Sequence, residues 1–330
     1  MEVREKLADT LVPQSNDKQR WLQQLTEYSL ILIFVVMFLT TSIFVDHFFS
    51  IENMLGLALS VSQIGMVACT MMFCLASRDF DLSVGSTVAF AGVLCAMVLN
   101  ATGSTTLGII AAVVAGGAIG WVNGAVIAYL RINALITTLA TMEIVRGLGF
   151  IVSHGQAVGV SSDTFIALGG LSLFGISLPI WVTLLCFIVF GVMLNNTVYG
   201  RNTLAIGGNP EASRLAGINV ERTRVYIFLV QGAVTALAGV ILASRITSGQ
   251  PNAAEGFELN VISACVLGGV SLLGGRATIS GVVIGVLIMG TVENVMNLLN
   301  IDAFYQYLVR GAILLAAVLL DQLKNRGSRD

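Results

Sequence analysis

Charge is scarce in this chain of 330 residues. Asp, Glu, Lys and Arg together make up 11%, against about 25% in a soluble domain. With 17 Lys and Arg and 19 Asp and Glu, there are too few charged side chains to cover a soluble fold of this length. A net charge of -2 leaves no basic footprint for nucleic acid. Only three lysines occur, Lys6, Lys18 and Lys324. None lies in G-x-x-x-x-G-K-[ST], so the chain has no P-loop with which to cradle ATP. The two histidines, His47 and His154, do not form H-E-x-x-H. Both are expected in loops, which leaves a serine nucleophile without a base. The five cysteines, Cys69, Cys74, Cys95, Cys186 and Cys265, make no C-x-x-C and read as small buried apolar residues. Proline is rare, with 4 in the chain, so few kinks come from it.

Apolar residues are plentiful, at 56%, and mean hydropathy is +0.87. A helix needs about 20 apolar residues to cross a bilayer core. Ten such runs are present: 29–45, 53–77, 82–100, 107–130, 132–152, 178–195, 224–244, 258–273, 278–298 and 303–321. They are continuous rather than alternating, which disfavours a β-barrel. The third opens on Asp79, Asp81 and Ser83, and the eighth is short and begins near Glu258 and Asn260. Either suits a broken or re-entrant helix, tolerated at membrane depth only where protein or water satisfies the backbone. The expected class is an all-α polytopic membrane protein with about ten transmembrane helices.

Orientation follows from the basic residues. With the N-terminus inside and ten crossings, the inner segments hold Arg4, Lys6, Lys18, Arg20, Arg78, Arg131, Arg201, Arg214, Arg222, Arg224, Arg276, Lys324, Arg326 and Arg329. The outer side holds Arg245, while Arg146 and Arg310 fall inside runs. That asymmetry obeys the positive-inside rule and argues for N-in, C-in. Residues 1–28 lack the apolar core and cleavage site of a secretory signal. They are expected to be a cytoplasmic segment, with an amphipathic stretch near Trp21 and Leu25. Residues 29–321 form the membrane domain and 322–330 a cytoplasmic tail. The 35 glycines cluster inside runs, as at Gly116, Gly117, Gly120 and Gly124, and permit close helix approach.

Four polar stretches interrupt the pattern. In SRDFDLSVGS, residues 77–86, Asp79 and Asp81 precede Ser83, which can cap the next helix. The acidic groups suit a helix N-terminus. Alternatively, this reversal lines a cytoplasmic vestibule or touches a partner. In INALITTLATMEIVRG, residues 132–147, Asn133, Thr137 and Thr141 recur near helical spacing, and Glu143 and Arg146 are spaced to pair. The fifth run either lines a pathway or uses these groups as interhelical glue. In GTVENVMNLLN, residues 290–300, Glu293, Asn294, Asn297 and Asn300 are spaced to lie on one stripe, suited to a polyol path or to a dimer interface.

The fourth stretch, residues 195–223, is the longest inner loop. Its segment GGNPEASRLAG runs from Gly207 and Gly208 through Asn209, Pro210, Glu211, Ala212, Ser213, Arg214, Leu215 and Ala216 to Gly217. Asn209 can cap a short helix with Pro210 in its first turn, Glu211 near its positive end and Gly217 closing it in a left-handed conformation. Such a helix either docks into a groove of another protein or packs on its own bundle.

The stretch GRNTLAIGGNPEASRLAGINVERT resembles the cytoplasmic coupling segment of the sugar-importing ABC permeases, and DFDLSVGS resembles that family's signature after the second span. INALITTLATMEIVRGL and ISACVLGGVSLLGG are similar to its arabinose branch. The likeness runs from about residue 50 to 321. One departure is Arg78, where many members carry glycine. The resemblance implies a permease for a monosaccharide, L-arabinose foremost, with ribose, xylose or galactose as other candidates. It implies a homodimer of permeases in the inner membrane, a cytoplasmic ATP-binding subunit and a periplasmic sugar-binding protein. ATP and Mg would sit on the ATPase, leaving this chain without catalytic residues, metal or cofactor. Residues 207–217 would transmit ATPase closure to the spans. An ion-coupled secondary transporter, with Glu143 or Glu293 as ion ligand, is the competing class.

Overall fold

The computed structural model describes residues 15–326, and the side chains of residues 30–319, 321 and 322. The expected N-terminal segment falls partly, and the last four residues of the tail wholly, outside the described residues. So do the side chains of Trp21 and Leu25.

The fold is built on helices. In chain order these are α1 (Ser15–Phe44), α2 (Ile51–Ala76), α3 (Val84–Thr102), α4 (Thr105–Tyr129), α5 (Ala134–Val152), α6 (Asp163–Gly170), α7 (Leu178–Asn196), α8 (Val198–Gly208), α9 (Pro210–Leu215), α10 (Val220–Arg245), α11 (Phe257–Leu267), α12 (Ile279–Leu298) and α13 (Ala303–Arg326). Four two-residue strands, β1 (Val158–Gly159), β2 (Ser172–Leu173), β3 (Ile176–Ser177) and β4 (Ser248–Gly249), qualify the all-α expectation. Among the described residues seven helices, α2, α3, α4, α5, α7, α10 and α12, are long and apolar enough to cross a membrane. Shorter apolar helical stretches cover 30–44, 257–267 and 303–319.

The two runs singled out from sequence resolve differently. The third is a full 19-residue helix, α3. The eighth is not the span of 258–273: α11 has 11 residues, about 16 Å of rise, half a bilayer core. It stops because Gly269 takes a left-handed φ of 83°, and its successor Val270 donates back to Cys265 O at 3.0 Å. Residues 268–278 continue without regular structure.

α2 is the innermost rod, with every residue from Ile64 to Ser77 buried. A helix apolar all round has to be wrapped by others. α10 does much of the wrapping and packs against α2, α3 and α4. Its approach to α4 is backbone on backbone. A Cβ on Gly120 would overlap the carbonyl oxygen of Phe228, and one on Gly232 that of Gly116. The in-run glycines are thus a close-packing device. By contrast α4, α5 and α7 present Ile110, Val114, Ile136, Ile144, Leu185 and Ile188 outward, as a lipid-facing surface requires.

The loops segregate to two ends. At one end Arg78 Nη2 donates to Gly208 O at 2.8 Å, and Gly275 N to Ala76 O at 2.8 Å. This end collects the α2–α3 reversal, the α4–α5 turn and the segment from α8 to α10. At the other end β1 pairs antiparallel with β4, and Ser244 Oγ, in the last turn of α10, donates to Phe165 O of α6.

Candidate functional site

The arginine-rich end holds a cavity of about 560 Å³. Arg78, Asp79, Arg131, Asn133, Pro210, Arg214 and Arg224 are among its lining residues. Local rules set each of these in place. Asn209 accepts from Glu211 N at 3.0 Å and Ala212 N at 3.1 Å, with Pro210 supplying the first helical φ. Gly217 at φ 85° closes the six-residue α9, and Ile218 N donates to Ser213 O at 3.0 Å. The capped helix expected at 209–217 is therefore present. Of its side chains Ser213 is buried, while Glu211 is exposed and Leu215 is 91% exposed. An apolar tip so bare, on a helix already fixed at both ends, is free to meet another surface.

α9 is not a loose appendage. Arg214 donates from Nε at 3.1 Å and from Nη2 at 2.6 Å to Glu221 Oε1, in the first turn of α10. Asn219 caps that turn by accepting from Arg222 N at 2.9 Å. Arg224, one residue beyond the Thr223 whose hydroxyl donates to Asn219 O, pairs with Asp79 Oδ2 at 3.1 Å. Gly207 of α8 touches the end of α2 so closely that a Cβ would overlap Ala76 O. α9 is thus tied to α10 by an ion pair, and the adjoining α8 abuts the end of α2.

In the reversal, burial pushes the Asp79 carboxyl up to about 6, opposed by Arg224 and by the Ser77 hydroxyl. Burial also raises Asp81, against hydrogen bonds from Ser83. Asp79 faces the vestibule. Asp81 and Ser83 do not line it. Asp81 Oδ1 accepts from Ser83 N at 2.9 Å and Ser83 Oγ at 2.6 Å. Asn123 Nδ2 then donates to Ser83 Oγ at 3.1 Å, and Thr141 Oγ1 to Asn123 Oδ1 at 2.6 Å. Ser83 does not cap α3 with its side chain; its hydroxyl is spent in this buried relay.

The other expected path residues are likewise bonded. Asn133 caps α5 by accepting from Leu135 N at 2.8 Å, and Thr137 donates to Asn133 O at 3.1 Å. Glu143 and Arg146 make no ion pair among the described residues; Arg146 Nη1 donates to Pro251 O and Ala253 O at 2.8 and 2.7 Å. Glu293 pairs with Arg310 at 3.1 Å and accepts from Asn260 at 3.0 Å. Asn294 and Asn53 exchange amide hydrogen bonds of 2.8 and 3.0 Å, and Asn297 accepts from Gln306 at 2.9 Å. The stripe on α12 therefore fastens α2, α11 and α13 around it. Missed in the sequence were Arg131 and Arg224 as walls of the vestibule. Arg131 stands in the short turn between α4 and α5 and Arg224 near the start of α10, where charge reads as ordinary flanking.

Among the described residues no group of acidic, histidine and cysteine side chains could hold a metal ion. The pattern of one protein family, described as the permease component of branched-chain amino acid transport systems, matches residues 53–318. The chain belongs to this permease family. It is 58% identical over 303 residues to the L-arabinose transport system permease protein of Escherichia coli K12, covering 92% of each chain. It is 54% identical over 307 residues to the L-arabinose ABC transporter permease protein of Azospirillum brasilense, covering 93% of this chain and 91% of that one. The ribose import permease protein of Bacillus subtilis is 39% identical over 292 residues, covering 88% of this chain and 91% of that one. No solved structure matches the chain significantly. The family description names amino acids while these relatives are named for sugars, so membership fixes the transport architecture and not the cargo. The chain is a multi-pass inner-membrane permease of an ABC importer, a transporter subunit whose ATPase is a separate chain.

Proposed function

We propose that this chain forms the membrane path of an ATP-driven importer for L-arabinose, with both termini in the cytoplasm and ten crossings in residues 29–321, the eighth made by the short α11 together with the irregular residues 268–278. Identity of 58% with an L-arabinose permease, against 39% with a ribose permease over similar coverage, is the observation that carries the sugar. The gathering of Arg78, Arg131, Arg214 and Arg224 around one cavity supports placing that end inside. Two copies pair in the membrane. A cytoplasmic ATPase grips α9 and holds the ATP and Mg, while this chain holds neither. A periplasmic binding protein delivers the sugar to the β1–β4 end.

ATP works here by binding one state of the assembly more tightly than the other. The linkage of Arg214 to Glu221 and of Arg224 to Asp79 supports α9 as the point where that preference enters. The test is uptake into proteoliposomes holding permease, ATPase and binding protein. L-Arabinose uptake that requires ATP and exceeds that of ribose, xylose and galactose supports the reading. Uptake without nucleotide, driven by a proton or sodium gradient, replaces it with a secondary transporter.

A further inference from the structure

The vestibule at the arginine-rich end carries more positive charge than the fold consumes. Four arginines, Arg78, Arg131, Arg214 and Arg224, line it, against one acidic side chain, Asp79. Asp79 offsets Arg224, and Glu221 offsets Arg214. Arg78 donates to a neutral acceptor, Gly208 O. Arg131 makes no hydrogen bond or ion pair among the described residues and meets Glu221 only as a more distant charge. The charges of Arg78 and Arg131 are therefore left over on one cavity.

The positive-inside rule accounts for the sign of this end, but not for the convergence. Three separate segments supply the arginines: the α2–α3 reversal gives Arg78, the α4–α5 turn Arg131, and α9 with the start of α10 gives Arg214 and Arg224. Arg78 and Arg131 both hold a left-handed φ, of 69° and 56°. Such strained settings for a residue with a Cβ collect at ligand clamps. Further donors border the cavity. Arg214 spends Nε and Nη2 on Glu221, which leaves Nη1. Asn133 caps α5 through Oδ1, and its Nδ2 has no acceptor among the described residues. Ala134 and Leu135, in the first turn of the 19-residue α5, stand in the wall, so the positive end of that helix adds to the field.

This set of donors selects its ligand. Guanidinium forks match pairs of phosphate oxygens and stay charged at any physiological pH. A volume of about 560 Å³ exceeds a lone phosphate ion and leaves room for the alcohol esterified to it. One flank of the cavity is apolar, formed by Ile127, Ile132 and Leu135. Ile132 and Leu135 are each 43% exposed, and this flank adjoins the outward faces of α4 and α5. We propose that the arginine-lined cavity binds the phosphate of a glycerophosphate ester, either the headgroup of an anionic lipid reaching in from the membrane edge or the free ester from solution. The site stands whichever solute the permease carries.

The experiment uses the full-length permease in phosphatidylcholine nanodiscs and reads melting temperature. One arm adds glycerol phosphate, against chloride at equal ionic strength. The other replaces part of the phosphatidylcholine with phosphatidylglycerol. A ligand that binds only the folded protein raises melting. A rise in the first arm assigns the free ester, and a rise confined to the second assigns the lipid; either supports the proposal. Arg131→Gln breaks no bond within the fold. In this variant the glycerol phosphate concentration for half the rise should grow about tenfold, or the lipid-induced rise should be lost. Arg78→Gln should act likewise. Arg276→Gln, at the same end but outside the cavity wall, should keep the full rise. No rise in either arm overturns the proposal and leaves the cavity as a seat for an acidic segment of the ATPase. A rise that survives in both Arg131→Gln and Arg78→Gln, or that Arg276→Gln lowers equally, also overturns it, because such a rise reports diffuse surface charge.

Discussion

Arg224 Nε lies 3.1 Å from Asp79 Oδ2, with the two side chains 21% and 7% exposed. The contact joins the first turn of α10 to the reversal between α2 and α3. With Arg214 bonded to Glu221, two separate ion pairs near the start of α10 tie it to α9 and to the reversal after α2. Truncating one partner leaves the other charge poorly solvated. Asp79→Ala is expected to cost on the order of 2 kcal/mol, less than a fully buried pair because Arg224 retains solvent. Adding Arg224→Leu should recover part of it. Thermal melts of both single variants and the double variant in detergent check this; a double-variant loss equal to the sum of the two single losses would mean the pair is not coupled.

The Asp79 carboxyl, raised to about 6 by burial, adds a pH dependence. Its folded value lies above its ordinary 3.8, so the folded state binds the proton more tightly than the unfolded chain. The resulting stabilisation is complete below 3.8 and is lost as pH rises through about 6. Melting temperature should therefore fall between pH 5 and pH 7 more steeply in the unaltered protein than in Asp79→Asn. Parallel profiles would assign the dependence to other groups.

Arg78 occupies a left-handed φ of 69°, a conformation that costs a non-glycine residue roughly 1 kcal/mol. Arg78 is held by its bond to Gly208 O. Arg78→Gly should leave melting within about 1 kcal/mol of the unaltered chain, strain relieved offsetting the bond lost. Arg78→Val, β-branched at positive φ and without the bond, should be markedly worse. Matching stability for the two substitutions would remove backbone strain from the account.

Asn294 and Asn53 satisfy each other's amides. Asn294→Leu leaves Asn53 Oδ1 without its donor, while Asn53 Nδ2 still donates to Phe48 O at 2.7 Å, and should cost about 1 kcal/mol. Because these groups bond helix to helix, uptake should decline only as far as the amount of folded permease declines. Uptake per folded molecule that collapses while melting stays put would return Asn294 to the path.

Most of the fold was legible because apolar runs of span length have one physical use. The α9 helix was legible because Asn209, Pro210 and Gly217 each do a job that few residues do. Which polar groups the packing consumes was not. Spacing marks which polar groups share a face, as with Glu293, Asn294 and Asn297, but not whether a neighbouring helix consumes them. Gln63 and Gln231 stand almost alone in apolar runs, so no stripe announces them, and only packing reveals that they lack partners. The short α11 was hinted at by polar Glu258 and Asn260, and its stop by the paired Gly268 and Gly269.

The central claim is that an ATPase subunit works the permease through α9. A photo-activatable residue in place of the bare Leu215, illuminated in native membranes, tests it most directly. The account predicts a covalent adduct with the ATPase that strengthens or weakens on adding ATP, and no labelling of that position by impermeant reagents outside the cell. Labelling from outside, or no ATPase adduct in membranes that import the sugar, would contradict it.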